Sequence, residues 1–525
     1  MTSEFDVVVV GAGHNGLTCA AYLARTGARV AVVEARDVVG GYCTSAETVE
    51  SAPGFVFNEA AIDFIMTNIP PTVADELELH RYGLEWIYPD PFLTFLNPDG
   101  ASIAFWRDKH RTEAEIARFS RRDAEQYRRF TEVLRDLWST LVPYFQTHPR
   151  RVGFGAALET VRRGVGARKN LAAGTRILLS SPLAVLEEWF EREELKTALA
   201  CWALWALGPL DEPGNAAAMA YPALSHEWGL RRPVGGSGSF TRALAACIEA
   251  HGGEIRTSSP VREIATAGRQ AAGVVLDTGE RLRARQVVAA LDPVTLLTRL
   301  IDPGLIPDPV AAELRGLQVG HSNLGIFKGD VAVRERLAFP RYGRADDELA
   351  SLFLASDVAS LVRATDAARR GELTDELPMW VIIPSVFDRS LVPAGSAGDT
   401  VYVWPLVGGP IELALGAEWS KLKDDHLDAC LAAFETYAPG VRDVMIGSLA
   451  VSPDELAARV HRGNVFHVDH TLTQFGPGRP IPSLNGYRTP VDGLWHTGAG
   501  AHPMGGLNGW SGRTTARTVL RHLRR

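Results

Sequence analysis

The sequence predicts an α/β fold, α+β over the chain as a whole, in which one sheet-and-helix unit is assembled from separated stretches. Three observations carry this expectation. The chain opens on a strand pattern, a glycine turn, a helix pattern and a second strand. A glycine turn, an amphipathic helix and short strands follow one another from 231 to 293. A strand, a glycine-rich turn and a helix pattern close the chain from Gly493 onward. Long stretches of different character separate the three, so the unit is non-contiguous and the intervening chain forms something else.

In the first stretch, residues 5–10 (FDVVVV) read as a buried parallel strand. GAGHNG follows, placing Gly11, Gly13 and Gly16 at GxGxxG spacing, and a helix pattern runs on toward Gly27. A second strand, ARVAVVE, ends at Glu34, 18 residues beyond Gly16. The physical logic is that of a Rossmann-like dinucleotide site. Gly11 permits the tight turn, Gly13 lets a diphosphate approach the backbone, and Gly16 lets helix and strand pack closely. The helix amino terminus offers free N–H groups and a positive dipole end, and Glu34 can accept ribose hydroxyls. Taken alone, this fingerprint does not separate NAD from FAD.

In the second stretch a glycine turn leads into a helix read over 240–250, then strands in EIRTSSPVREI, AAGVVLDTG and QVVAAL. In the third, a strand over 493–497 leads through a glycine turn to a helix with Val519, Leu520 and Leu523 on its apolar face.

Composition limits the function classes. At 525 residues the chain is long enough for two or three domains. A net charge of −8 argues against nucleic acid as a partner. The five cysteines are scattered, with no CxxC pair, which excludes a zinc ribbon and a disulfide framework, and no metal is expected. The start enters a strand without a basic leader, and the apolar run over 199–210 is shorter than the ~20 residues a span needs. A cytoplasmic protein is expected.

The ordered motifs GAGHNGL, VVEARDVVGG, PGFVFNEAA, GGSGSFTRAL, GGEIRTSSPVREI, IPSVFDRSLVPAG, GNVFHVD and YRTPVDGLWHTGAGAHPMGG cover nearly the whole chain. On them the sequence resembles the phytoene-desaturase-like branch of the FAD-dependent amine oxidase superfamily. Within it the likeness is to the oxidoreductases known as pyridine-nucleotide-disulfide-oxidoreductase-domain proteins. The resemblance implies non-covalent FAD, a discontinuous FAD-binding domain (1–80, 231–300, 484–525) and an interleaved substrate-binding domain (81–230, 301–483) of mixed sheet and helices. It implies that Gly11, Gly13, Asn15 and Gly16 hold the diphosphate and Glu34 the ribose, with Ala35 and Arg36 beside the adenosine. Gly40 and Gly41 would pass close under the diphosphate, and Val261 would contact the adenine through its backbone. Gly498, Gly500, Met504, Gly505 and Gly506 match the turn and helix start beneath the isoalloxazine. Tyr42 stands where many relatives have arginine after the glycine doublet, a departure that leaves one cofactor contact open.

Other residues carry two readings each. Cys43 has no partner five residues on, where Thr48 stands, so dithiol chemistry fails and a small buried residue is expected. His502, in the turn that the resemblance sets near the flavin, is a candidate general base or a backbone-shaping residue. His467, His470 and His496 lack metal-ligand spacing around an acid and read as structural. Trp202 and Trp205 either line a substrate tunnel or form core. The basic stretch 150–169 reads as a solvated face, with peripheral membrane contact as the alternative.

The expected function is hydride removal from an organic, largely apolar small molecule to flavin N5, by C–C desaturation or C–N or C–O oxidation, with oxygen or a quinone as acceptor. No second GxGxxG unit points to NAD(P)H. The alternatives are a redox-neutral flavin-dependent isomerase, a flavin-binding scaffold without turnover, and an NAD-dependent dehydrogenase.

Overall fold

The computed structural model describes residues 4–61 and 71–524. Residues 62–70 belong to the first segment of the expected cofactor domain and lie outside the described residues.

Phe5–Val10 is buried along nearly its whole length, as a central parallel strand requires. It pairs in parallel with Val30–Val33 on one side and with Arg281–Ala289 on the other. Glu254–Arg256 extends the sheet beyond Val30–Val33, and Leu494–His496 beyond Arg281–Ala289, both parallel. The α/β class is therefore observed, and its parallel sheet draws strands from three separated stretches. The first half of Arg281–Ala289 continues into an antiparallel meander with Gln270–Leu276 and Val261–Ala267.

Alternation divides this sheet between two cores. Val7, Val9, Val32 and Val288 pack against helices His14–Ala24, Ser237–Ala250 and Trp510–Leu523. Val8, Val10, Ala31 and Val287 face the opposite cluster, with Leu282, Leu484 and Val491. The first and last helices touch so closely that a β-carbon at Gly512 would stand 2.2 Å from the Asn15 carbonyl oxygen.

Two local readings differ from the structure. The helix expected over 240–250 begins at Ser237, because Gly236 takes φ +82° and Gly238 must pack against the Ser45 backbone. EIRTSSPVREI is two strands with different partners, broken where Ser258 takes φ +49° before Pro260.

A second sheet runs in the order Met445–Val451, Lys328–Val333, Asp399–Pro405, Met379–Ile382, Ser351–Leu354, Leu93–Leu96, Ser102–Phe105. It is antiparallel except where Ser351–Leu354 meets Leu93–Leu96. Both faces are covered. Met379 and Val381 face Leu431 and Phe434 of helix Lys423–Glu435, while Trp380 and Ile382 face helix Glu193–Trp205 and its neighbours.

Two long helices, Arg121–Phe145 and Phe154–Leu179, pack against each other beside that second face. The basic stretch lies mostly on the latter helix, but its outer face is not uniformly polar. Phe154 is 85% exposed, and Leu158, Val161 and Val165 are exposed between its arginines. No helix among the described residues is long and apolar enough to cross a membrane.

Candidate active site

The site is built where parallel strands end. Gly11 follows Val10, Glu34 follows Val33, Leu291 and Asp292 follow Ala289, and Gly498 follows His496. All of them reach one cavity of about 430 Å³ at the carboxyl edge of the sheet, the position at which open α/β sheets bind ligands.

The glycines divide by what surrounds them. A β-carbon on Gly16 would meet the Gly11 carbonyl oxygen at 2.1 Å, so helix and turn pack backbone to backbone. Gly11 takes φ +94°, which side chains avoid. Gly13 has nothing within 4 Å of its would-be β-carbon, and it caps helix His14–Ala24 without a side-chain hydrogen bond. Open space therefore stands at the amino terminus of a helix, where unpaired N–H groups favour a diphosphate. Gly40 N donates to Ala12 O at 2.8 Å. Gly40 and Gly41 are constrained by the protein itself: β-carbons there would meet Cys43 O at 2.5 Å and Gly13 Cα at 3.2 Å.

Glu34 is buried, and its carboxylate accepts from Ala12 N at 2.8 Å and Arg36 N at 3.0 Å. Ala35 and Arg36 also line the cavity. Arg36 pairs with both oxygens of Glu59, at 2.9 and 2.8 Å, and Arg459 reaches the same carboxylate at 3.0 Å. Burial works to raise the Glu59 carboxyl, but the two guanidiniums outweigh it and hold it below the usual range. Tyr42 lines the cavity, and its hydroxyl donates to Leu456 O at 3.0 Å. Val261 starts its strand outside the cavity wall. Nearby, Ser258 N and Ser259 N donate to the carbonyls of Arg36 and Glu34.

Gly498 and Ala499 line the large cavity, Met504 and Gly505 line a second one, and Gly506 lines both. Gly500 packs against His467 instead. The second cavity measures about 340 Å³ and includes Trp138, Tyr221, Leu472, Phe475 and Met504 in its wall. No Asp, Glu, Lys or Arg lines it among the described residues.

His502 lines neither cavity. It is 1% exposed, its ring meets Tyr144 edge-on at 5.0 Å, and its Nδ1 lies 3.3 Å from Gly476 O. Its carbonyl accepts from the Tyr487 hydroxyl. This geometry agrees with the backbone-shaping reading of His502. Trp205 reaches the large cavity, whereas Trp202 is core, stacked on Tyr221 at 5.6 Å. All five cysteines are free and buried. Burial raises the Cys43 thiol well above its ordinary range, and Thr48 donates to Asp330.

Several site residues escaped the sequence reading. His14 lines the large cavity with Nε2 3.1 Å from Gly506 O, and burial pushes it down to about 4, so it is neutral. The HN between the fingerprint glycines was its only signal. His467 also lines that cavity, at φ +65°, with Nδ1 unpartnered among the described residues. Arg479 is fully buried, and no carboxylate among the described residues forms an ion pair with it. It donates to the carbonyls of Phe466 and Ala499, at 2.8 and 2.9 Å, and leaves a positive charge behind the Gly498–Ala499 turn.

A glycine-turn dinucleotide cleft and an apolar cavity that share Gly506 in their walls fit an enzyme with a nucleotide cofactor. Residues 16–354 match the flavin containing amine oxidoreductase family, and the chain belongs to it. It is 30% identical to pyridine nucleotide-disulfide oxidoreductase domain-containing protein 2 of Rattus norvegicus, over 99% of this chain and 94% of that one. It is 26% identical to a lycopene-forming phytoene desaturase of Pseudescherichia vulneris, over 98% of this chain and 99% of that one. The fold matches a putrescine oxidase variant with a TM-score of 0.62 at 17% identity, over 99% and 100% of the two chains. The protein is an oxidoreductase enzyme and its cofactor is FAD. The open space at Gly13 and a large cavity lined from Gly11 and Glu34 to Gly498 and Gly506 fit that cofactor.

Proposed function

We propose that the enzyme dehydrogenates a neutral, largely apolar organic molecule, as a desaturase, dehydrogenase or oxidase, with oxygen or a quinone as final acceptor. The observation that supports this reading is the charge-free second cavity, which shares Gly506 with the cofactor cavity as a wall residue. FAD, when bound, supplies the two-electron acceptor, taking a hydride at N5.

The chain's own residues do the rest. The backbone at Gly11, Gly13, Asn15 and Gly16 receives the diphosphate, and Glu34 accepts from the ribose. Arg36 and Arg459 hold Glu59 and so brace the loop that carries the glycine doublet. Gly498, Ala499 and Gly506 form the wall against the ring, with the Arg479 charge behind Ala499 favouring added electron density. Tyr221, Phe475 and Met504 exclude water from the reacting carbon. Segments 1–80, 231–300 and 484–525 form the cofactor domain, which agrees with every strand of the first sheet lying within them. Segments 81–230 and 301–483 form the substrate domain, which holds every strand of the second.

Anaerobic addition of neutral hydrocarbon and terpenoid candidates to the flavin-loaded enzyme tests the reading. Bleaching of one flavin per substrate oxidised is expected. Product formation with no net electron uptake would point to redox-neutral isomerisation instead.

A further inference from the structure

Two polar side chains in the wall of the second cavity make no hydrogen bond among the described residues, the Trp138 indole and the His470 imidazole, and of the two only the imidazole can also accept one. Asn215 donates to Pro209 O at 3.0 Å, Thr471 is within 3.1 Å of Thr473 Oγ1, and Asn508 accepts from Trp510 N at 2.9 Å. His470, in the same wall, has no hydrogen bond from either ring nitrogen among the described residues; its Nε2 is covered by protein, which leaves Nδ1 as the nitrogen open to a ligand. Its ring packs on Phe466 at 4.4 Å, which fixes its plane. An imidazole left so beside an apolar space requires an explanation, and a ligand group supplies one.

Resting on the dehydrogenase reading above, we propose that this cavity takes an elongated neutral hydrophobe bearing a single hydroxyl, and that His470 positions it by hydrogen bonding that hydroxyl. A hydroxyl both donates and accepts, so it matches either imidazole tautomer. Burial, with Arg479 nearby, pushes His470 down to about 3, so the ring meets its ligand neutral. An ammonium or carboxylate would lose its hydration and find no counter-charge in the wall. The polar contact thus fixes where the chain of the substrate lies relative to Gly506, and the apolar wall selects against charged analogues.

The test uses the FAD-loaded protein with four probes, 1-octanol, n-octane, octylammonium and octanoate, read by perturbation of the visible flavin band. Octylammonium and octanoate are expected to bind at least tenfold more weakly than 1-octanol. His470→Phe should weaken 1-octanol roughly three- to tenfold, the worth of one hydrogen bond, and leave n-octane within twofold, while His470→Gln restores most of the loss. In the wild type, ¹⁵N-labelled His470 should shift with 1-octanol and not with n-octane, a reading that needs no variant to fold. Equal weakening of both probes in His470→Phe, an unmoved ¹⁵N resonance, or charged probes binding as well as the alcohol would overturn the proposal. These readings need bound flavin but no turnover, so they fail separately from the dehydrogenase reading, which falls with flavin that no substrate reduces.

Discussion

His14 Nε2 lies 3.1 Å from the carbonyl oxygen of Gly506, joining positions 492 apart in sequence. The contact brings the diphosphate turn against the residue that lines both cavities. The cofactor site is therefore closed by side-chain chemistry as well as by the sheet, and its glycines can be tested against one another.

Gly16→Ala and Gly13→Ala should fail in different ways. The first sets a β-carbon 2.1 Å from a backbone oxygen, so the apoprotein should lose about 1–3 kcal/mol or more. The second enters open space, so apoprotein melting should stay near wild type while flavin retention after gel filtration falls. Equal destabilisation of both apoproteins would refute the assignment of Gly13 to ligand approach.

Tyr42→Phe should cost about 0.5–1.5 kcal/mol in denaturant unfolding, the net worth of its bond to Leu456 O. Flavin content and turnover should not change, because the hydroxyl is already spent on the protein. A drop in flavin affinity without loss of stability would assign the hydroxyl to the cofactor instead.

Cys43→Ala should retain flavin and turnover. The thiol is buried, its ionisation is suppressed, and it forms no disulfide. Thiol-dependent turnover in the wild type that disappears in the variant would reverse this.

Acid should destabilise the fold earlier than carboxylate protonation allows. Burial pushes His14, His426, His496 and His502 from 6.5 to about 4. Between those values the unfolded chain binds more protons, so this stability is whole above pH 6.5 and is lost as pH falls toward 4. Each such histidine contributes a slope of about 1.4 kcal/mol per pH unit. His321 acts in the opposite sense. Its bonds to Asp469 and Glu212 raise it to about 10, so its contribution fades as pH climbs from 6.5 to 10. Thermal melts across pH 4–10 should peak near neutrality, and a flat profile from pH 7 to 4.5 would contradict the burial of these rings.

The parallel sheet and its turns were legible because each depends on local pattern: valine runs, glycine spacing and an acid after the second strand. The second sheet was not. Its strands come from residues 93 to 451, and all but the edge strand Met445–Val451 are buried on both faces, so no alternation of polar and apolar residues marks them. The setting of His502 was not legible either, because the flavin-turn motif beside it does not say that its ring turns toward Tyr144 and Gly476. His470 was passed over because its setting exists only once helix, loop and turn segments far apart in sequence converge around the cavity.

The most direct measurement of the central claim is a crystal structure of the protein with FAD bound. The isoalloxazine should lie against Gly498, Ala499 and Gly506, with the second cavity opening onto its reactive edge. A ring lying elsewhere, or a second cavity sealed from it by protein, would contradict the proposed route of the substrate to the cofactor.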